Sequence, residues 1–368
     1  MNESNGFYSI KSANTLIILG NGFDLNCKLA SRFSDYFKEK AILIKNAIYK
    51  SDNDHICDNI WDLLLYLAFY DENEFGRIFS KTNKKDILWM DVESLIEKIV
   101  LHTCPFVEGK PTYFSVIGDA FNFCNINLFD YSHVNILRRF FSSKNLKKPL
   151  YAPDYLYEQL LEFERQFKEY LLRQLSESRL YKIYAKRLLN QLVFENEIFS
   201  LISFNYTLPF SSTLDHVTSC NIHGTVDSDA IIGFDSSKLK IDRIPGIQLS
   251  KSWQKMNLEL PRYDLPNKKY IKNIRVYGHS LGAQDYAYFH AIFDYYNLYD
   301  GDVILTFCYT NYGKTEQENI RIRNEYITKI HNLLNDYTIN SGKESKVRTI
   351  ISKLQIENRL RILSIPNM

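Results

Sequence analysis

Apolar residues fall along this chain in two patterns. The first is the short unbroken run. Thr15–Leu19 is apolar or β-branched at successive positions, which predicts a strand buried on both faces of a parallel sheet. Ser200–Phe204, Cys220–His223, Ala230–Phe234, Ile274–Gly278 and Val303–Tyr309 read the same way, and Arg361–Ile365 is a further strand-like run. The second pattern is apolar spacing at helical period, found in His55–Tyr70, Met90–His102, Tyr155–Arg173 and Leu180–Glu197. Within it, Leu160, Phe163, Phe167 and Leu171 make one buried stripe.

One strand stands first, a helical stretch follows, and the remaining strands come in the second half. This order predicts an α/β fold: a Rossmann-like parallel sheet with a large helical insertion. The expected division is a Rossmann-like nucleotide-binding domain of residues 1–40 and 198–368, interrupted by a helical insertion of residues 41–197. Tyr113–Tyr151 has weaker periodicity, with Ser142-Ser143-Lys144 and Pro149 as loop signals. Asp235–Asn273 is polar and carries Pro245, Pro261 and Pro266, so it reads as a long excursion, a lid or a partner-facing loop. Asp336–Ser345 reads as a polar break.

Composition changes this picture little. The chain has 368 residues, 45% of them hydrophobic, which is ample for a large core. Lys and Arg number 45 against 43 Asp and Glu, so no overall field points to nucleic acid or a membrane surface. The 26 Tyr and 24 Phe are read as core and interface material. Six cysteines are scattered without any Cys-x-x-Cys pair, so neither zinc nor a disulfide framework is expected. Residues Met1–Ser12 are polar, and no apolar run reaches membrane-spanning length. The expectation is a cytoplasmic protein with no membrane partner.

Candidate chemistry sits where strands end, because open α/β sheets bind ligands at the carboxyl ends of their strands. Four such ends carry polar residues. After Thr15–Leu19 comes Gly20-Asn21-Gly22-Phe23-Asp24, a Gly-x-Gly turn that lets a phosphate approach the backbone, with a helix to follow from about Leu25. The place of a third fingerprint glycine falls on Leu25, and a plain glycine turn between strand and helix fits the same residues. Asp24 would repel a phosphate unless it faces a ribose hydroxyl, a metal or a backbone N–H. The other ends are Asn205-Tyr206-Thr207, Asn221-Ile222-His223-Gly224, and Gly278-His279-Ser280-Leu281 with Asp285 beyond. An Asn after a strand also serves as a turn former, and a His before Gly as a structural residue.

Two local alternatives belong here. Gly278-His279-Ser280-Leu281-Gly282 has the spacing of a hydrolase nucleophile elbow, with Ser280 as nucleophile; against it, the other candidate residues lie upstream of Ser280 rather than after it. Asp91 and Asp285 each read as a helix N-cap.

Taken together, Gly20-Asn21-Gly22-Phe23-Asp24-Leu25, Trp89-Met90-Asp91-Val92-Glu93, Phe204-Asn205-Tyr206-Thr207, Ile222-His223-Gly224 and Gly278-His279-Ser280-Leu281 resemble the bacteriophage abortive infection AbiH family, over about residues 14–310. The order of motifs also resembles, more distantly, sirtuin-like NAD-cleaving domains. The first resemblance implies an antiphage defence protein of the bacterial cytoplasm, with a phage-derived trigger or a homo-oligomer among its partners. The second implies a small-molecule nucleotide, with NAD as substrate rather than cofactor and cleavage at the N-glycosidic bond. On that carry-over Gly20, Asn21, Gly22 and Phe23 line the phosphate site, and Thr207, Gly278, His279 and Ser280 complete the nucleotide pocket. Asn205 lies at the nicotinamide ribose, His223 is the base, and Asp24 lines the reacting centre. The departures are Asn21 and Asp24, which are larger and more polar than the sirtuin-like loop carries, and the missing zinc-binding cysteine module. A nucleotide-binding sensor or scaffold without turnover, and a metal-dependent nuclease toxin using Asp24, stand as the alternatives.

Overall fold

The computed structural model describes residues 13–50, 55–70, 87–103, 113–114, 131–144, 150–194, 197–209, 219–236, 246–258, 265–340 and 350–368. In chain order its first elements are β1 (Thr15–Leu19), α1 (Gly22–Asn26), α2 (Phe33–Tyr49), α3 (Ile60–Phe69), α4 (Trp89–Thr103), β2 (Tyr113–Phe114), α5 (Tyr131–Ser143), β3 (Leu150–Tyr151), α6 (Ala152–Glu177) and α7 (Tyr181–Leu192). Then come β4 (Phe199–Ser203), β5 (Ser219–Asn221), α8 (Lys251–Asn257), β6 (Asn273–Tyr277), α9 (Tyr286–Tyr295), β7 (Ile304–Thr310), α10 (Glu316–Asn340), α11 (Ile350–Ile356) and β8 (Leu360–Ile365). The chain divides into two compact units, one of Met1–Leu29, Arg179–Ile222 and Pro261–Met368, the other of Ala30–Ser178 and His223–Leu260.

The first unit is built on a six-stranded sheet in the order β5-β4-β1-β6-β7-β8, parallel throughout. The chain starts in the middle, adds two strands on one side, then returns to add three on the other. That is the doubly wound arrangement, and its reversal point lies at β1. All five residues of β1 are buried, as its unbroken apolar run requires. Leu16 and Ile18 share a core with Ile274, Val276, Leu305 and Phe307 from neighbouring strands. Phe289 and Phe293 of α9, Leu333 and Leu334 of α10 and Leu354 of α11 close over it. Each such side chain, fully buried, contributes about 1.5–3 kcal/mol. Arg275 is the exception on a central strand. Its guanidinium donates to Glu197 Oε1 at 2.6 Å and to the Leu192 carbonyl at 2.8 Å.

The second unit is helical, with a short antiparallel pairing of β2 and β3. Its long helix α6 buries Leu156, Leu160, Phe163, Phe167 and Leu171, the stripe read from the sequence. Tyr36 of α2 meets Phe163 and Phe167, with ring centroids 5.7 and 5.2 Å apart, and Trp89 lies 4.4 Å from Phe167. Asn59 caps α3 by accepting from Trp61 N at 2.8 Å and donates to the Gln159 carbonyl of α6 at 2.7 Å. Aromatic rings carry much of this helix packing.

Several sequence expectations give way. Tyr131–Ser143 is a helix, its buried Val134, Leu137, Phe140 and Phe141 supplying the periodicity that the surrounding polar residues diluted. Ala230–Phe234 joins no sheet; Phe234 makes only an isolated bridge to Ser250. Asp336–Asn340 continues α10 rather than breaking it, while 341–345 lies outside the described residues. The 235–273 excursion contains α8, whose Lys251 and Gln254 are buried, with Lys251 Nζ 2.7 Å from Glu93 Oε1. Asp91 is not the N-cap of α4: it sits in the first turn and its carboxylate accepts from the Leu88 N–H at 2.9 Å, reaching back as an acid at the third position can. The helix after the glycine turn begins at Gly22 and ends at Asn26, shorter and earlier than expected.

Candidate functional site

Strand register sets the site. Leu19 of β1 pairs with Ser203 of β4 and Tyr277 of β6, and Ser203 pairs with Asn221 of β5. The residues that follow these strand ends therefore leave the sheet side by side. Three of the four polar strand ends, together with Asn221, thus stand along one carboxyl edge of the first unit.

The glycine turn packs against the β6 turn backbone to backbone. Gly20 N–H donates to the Tyr277 carbonyl at 3.0 Å and Gly22 N–H to the Gly278 carbonyl at 2.7 Å. A Cβ on Gly20 would lie 2.5 Å from His279 Cα, and one on Gly22 would lie 2.7 Å from Gly278 Cα. Gly278 itself has φ 71°, and a Cβ there would lie 2.4 Å from Phe23 N. Three glycines are thus required where two loops touch. The N–H groups of Phe23 and Leu25 also bond within the turn, to Gly20 and Asn21 carbonyls. The N–H groups of Gly20, Gly22, Phe23 and Leu25 are therefore committed to carbonyls, and a phosphate here would draw on other donors.

Asp24 turns inward from α1 and is 1% exposed. Tyr181, the first residue of α7, donates its hydroxyl to Asp24 Oδ1 at 2.5 Å. Thr207 Oγ1 lies 2.9 Å from Oδ2, and the Tyr181 and Thr207 hydroxyls are 3.1 Å apart. Every one of these partners is neutral. Burial pushes the Asp24 carboxyl up from 3.8 to about 6, with the hydrogen bonds from Tyr181, Thr207 and Asn205 pulling it back only in part.

Asn205 follows β4. Its Nδ2 donates to the Gly20 carbonyl at 3.1 Å, which fixes the amide's orientation, and leaves Oδ1 buried without a hydrogen-bond partner. The turn that presents it is held from below. Ser203 Oγ accepts from Asn205 N at 3.1 Å, and Asn221 Nδ2 donates to the carbonyls of Asn205 (2.7 Å) and Thr207 (2.9 Å). Asn221 was named at its strand end without a role of its own, and Tyr181 is the member that sequence reasoning passed over. Tyr181 had one signal: a tyrosine at a buried helix position needs a partner for its hydroxyl.

His279 is buried between Phe204 and Phe289, with ring centroids 4.4 and 4.9 Å away. Its Nδ1 accepts from Leu281 N–H at 2.9 Å, and Nε2 faces Asp285 Oδ2 at 3.4 Å. Asp285 does occupy the N-cap position of α9, but it makes no side-chain cap and turns to His279 instead. Ser280 is exposed. The positive φ values of this turn fall on Gly278 (71°) and Leu281 (53°), not on Ser280, and a 3₁₀ turn at Ala283–Asp285 precedes α9. A nucleophile elbow strains the serine itself and runs straight into its helix, so Ser280 is not built as one.

His223 belongs to the second unit. It is 4% exposed, its carbonyl accepts from Ile231 N at 2.9 Å, and Gly224 after it has φ 77°. Among the described residues no group of three or more His, Cys, Asp or Glu side chains could hold a metal ion, and no helix is long and apolar enough to cross a membrane.

A family model described as bacteriophage abortive infection AbiH matches residues 16–299. No curated protein matches the chain. The matched span holds every element of the site described above, from β1 through α9.

Proposed function

We propose, from the premise that this chain belongs to the bacteriophage abortive infection AbiH family, that it acts in phage defence by binding a nucleotide at the carboxyl edge of its sheet and cleaving it at the N-glycosidic bond. Family membership supports the role in abortive infection. The nucleotide and its cleavage are our reading.

One observation carries it. Asp24 is a buried carboxyl held only by neutral donors, beside an Asn205 Oδ1 that lacks a donor, at the reversal point of a doubly wound sheet. A buried acid without a cation costs stability, and such groups concentrate at functional sites. Oδ1 of Asn205 calls for an O–H or N–H from a ligand, which a ribose supplies and an unprotonated phosphate does not. A ribose losing its base develops positive charge at C1′, and Asp24 is the acidic group to stabilise it. With NAD as substrate, the C1′–N bond breaks and neutral nicotinamide keeps the electron pair. A water oxygen then bonds to C1′ and its proton passes to solvent.

The test is nicotinamide release from NAD by the purified full-length protein, followed by chromatography alongside Asp24→Asn, Asn205→Ala and His223→Ala. The expected result is turnover in the wild type and its loss, by about 10²–10³-fold, in the Asp24 variant, where the charge facing C1′ is removed. Stoichiometric nucleotide binding with no product after prolonged incubation would replace this reading with that of a sensor.

A further inference from the structure

The outer face of α7 carries a cationic stripe with no function in the site. Between Ser178 and Phe194 the sequence holds Arg179, Lys182, Lys186 and Arg187 and no Asp or Glu. All four are exposed, and among the described residues none of them forms an ion pair or side-chain hydrogen bond. The helix leaves no freedom about which way they face. Tyr181, Ala185, Leu188, Leu189 and Leu192 are buried, so the opposite side carries the cations.

Apolar residues are set into the same stripe. Ile183 is 48% exposed and Leu180, at the start of the helix, 51%. Ile183 lines a surface depression with Lys182, Lys186, Arg187 and Asn190. The same face sets like charges at i, i+4 in Lys182 and Lys186, a pair that repels when left in solvent, directly beside the exposed Ile183.

We propose that this face of α7 is a docking surface for a protein partner presenting an acidic segment with interspersed apolar side chains, an amphipathic acidic helix being the simplest form. Charge complementarity requires an anionic partner, and the exposed Ile183 and Leu180 require an apolar contribution from it. A nucleic acid backbone has no apolar group to lay on Ile183. The chain as a whole, at +2, also lacks the wider basic footprint of a nucleic-acid groove. An anionic membrane would draw in a helix by its apolar face, and that face of α7 is already committed to the core. The surface goes beyond the nucleotide reading and does not depend on it.

Fluorescence anisotropy with the full chain tests this. The probes are a labelled synthetic amphipathic peptide of glutamate and leucine, a glutamate-only peptide of equal length, a short duplex DNA, and vesicles of phosphatidylserine and phosphatidylcholine. The glutamate–leucine peptide is expected to bind, more weakly as salt is raised. Combined Lys182→Glu, Lys186→Glu and Arg187→Glu should weaken it by about tenfold or more, and Ile183→Ser should weaken it with charge unchanged. Lys186→Gln alone, checked by thermal melting, gives a smaller loss in the same direction and keeps the test open if the triple variant does not fold. The proposal is overturned if DNA, vesicles or the glutamate-only peptide bind as tightly, if no probe binds, or if charge reversal in a folded variant changes nothing.

Discussion

Tyr181 Oη and Asp24 Oδ1 are 2.5 Å apart, joining residues separated by 157 positions in sequence. This bond ties the start of α7 to the short helix after the glycine turn, and with Thr207 and Asn205 it offsets part of the cost of burying the carboxyl. Tyr181→Phe removes the hydroxyl and keeps the ring. We expect it to destabilise the first unit by about 1.5–3 kcal/mol, the range for a buried bond to a charged group. Urea unfolding measures it, and an unchanged midpoint would show that Thr207 and Asn205 suffice.

The pH dependence has a defined sign. Asp24 sits near 6 in the folded protein against an ordinary 3.8, so the folded state keeps a proton that the unfolded chain has already lost. Its contribution is greatest below about pH 4 and is lost as pH rises through 6, amounting to about 3 kcal/mol. Asp24→Asn abolishes that slope. Unfolding midpoints of wild type and variant between pH 4 and 8 should therefore differ by a pH-dependent amount, the variant gaining on the wild type as pH rises. Parallel curves would refute the burial of an ionisable Asp24.

Gly22→Ala and Gly278→Ala probe one contact from its two sides. Each new methyl meets backbone, 2.7 Å from Gly278 Cα in the first case and 2.4 Å from Phe23 N in the second. Backbone cannot swing away as a side chain can. Each variant should lose about 1–3 kcal/mol, and Gly278→Ala more than Gly22→Ala, because its φ of 71° adds strain. Thermal melting ranks them. A phosphate-only role for these glycines predicts instead intact stability and lost nucleotide binding.

Glu197→Gln tests the buried cation of β6. Arg275 is 3% exposed, and the carboxylate of Glu197 is its anionic partner. Removing that charge should cost about 3–5 kcal/mol, whereas replacing both residues with apolar ones of similar volume should cost less. Chemical denaturation of single and double variants separates the two outcomes.

The strands of the sheet were legible because each is a short apolar run with a turn signal behind it. β1, β4, β6, β7 and β8 fall within a residue or two of the expected bounds. Ala230–Phe234 has the same apolar pattern but among the described residues makes only an isolated bridge, from Phe234 to Ser250, and periodicity cannot tell these cases apart. α5 was hidden for a different reason: its apolar positions stand among polar ones and are flanked by loop-forming residues such as Ser142, Ser143 and Pro149.

By itself, the sequence determined which residues leave the sheet at its carboxyl edge, since the strand-like runs close at Leu19, Phe204 and Gly278 and are followed by Gly20, Asn205 and His279. Tertiary structure alone decided what those residues do there. It packed the glycine turn backbone to backbone against the β6 turn, and it gave Asp24 a partner in Tyr181. The reason is range: turn and strand signals act over a few residues, while a buried carboxyl is defined by groups brought to it from 157 and 183 positions away.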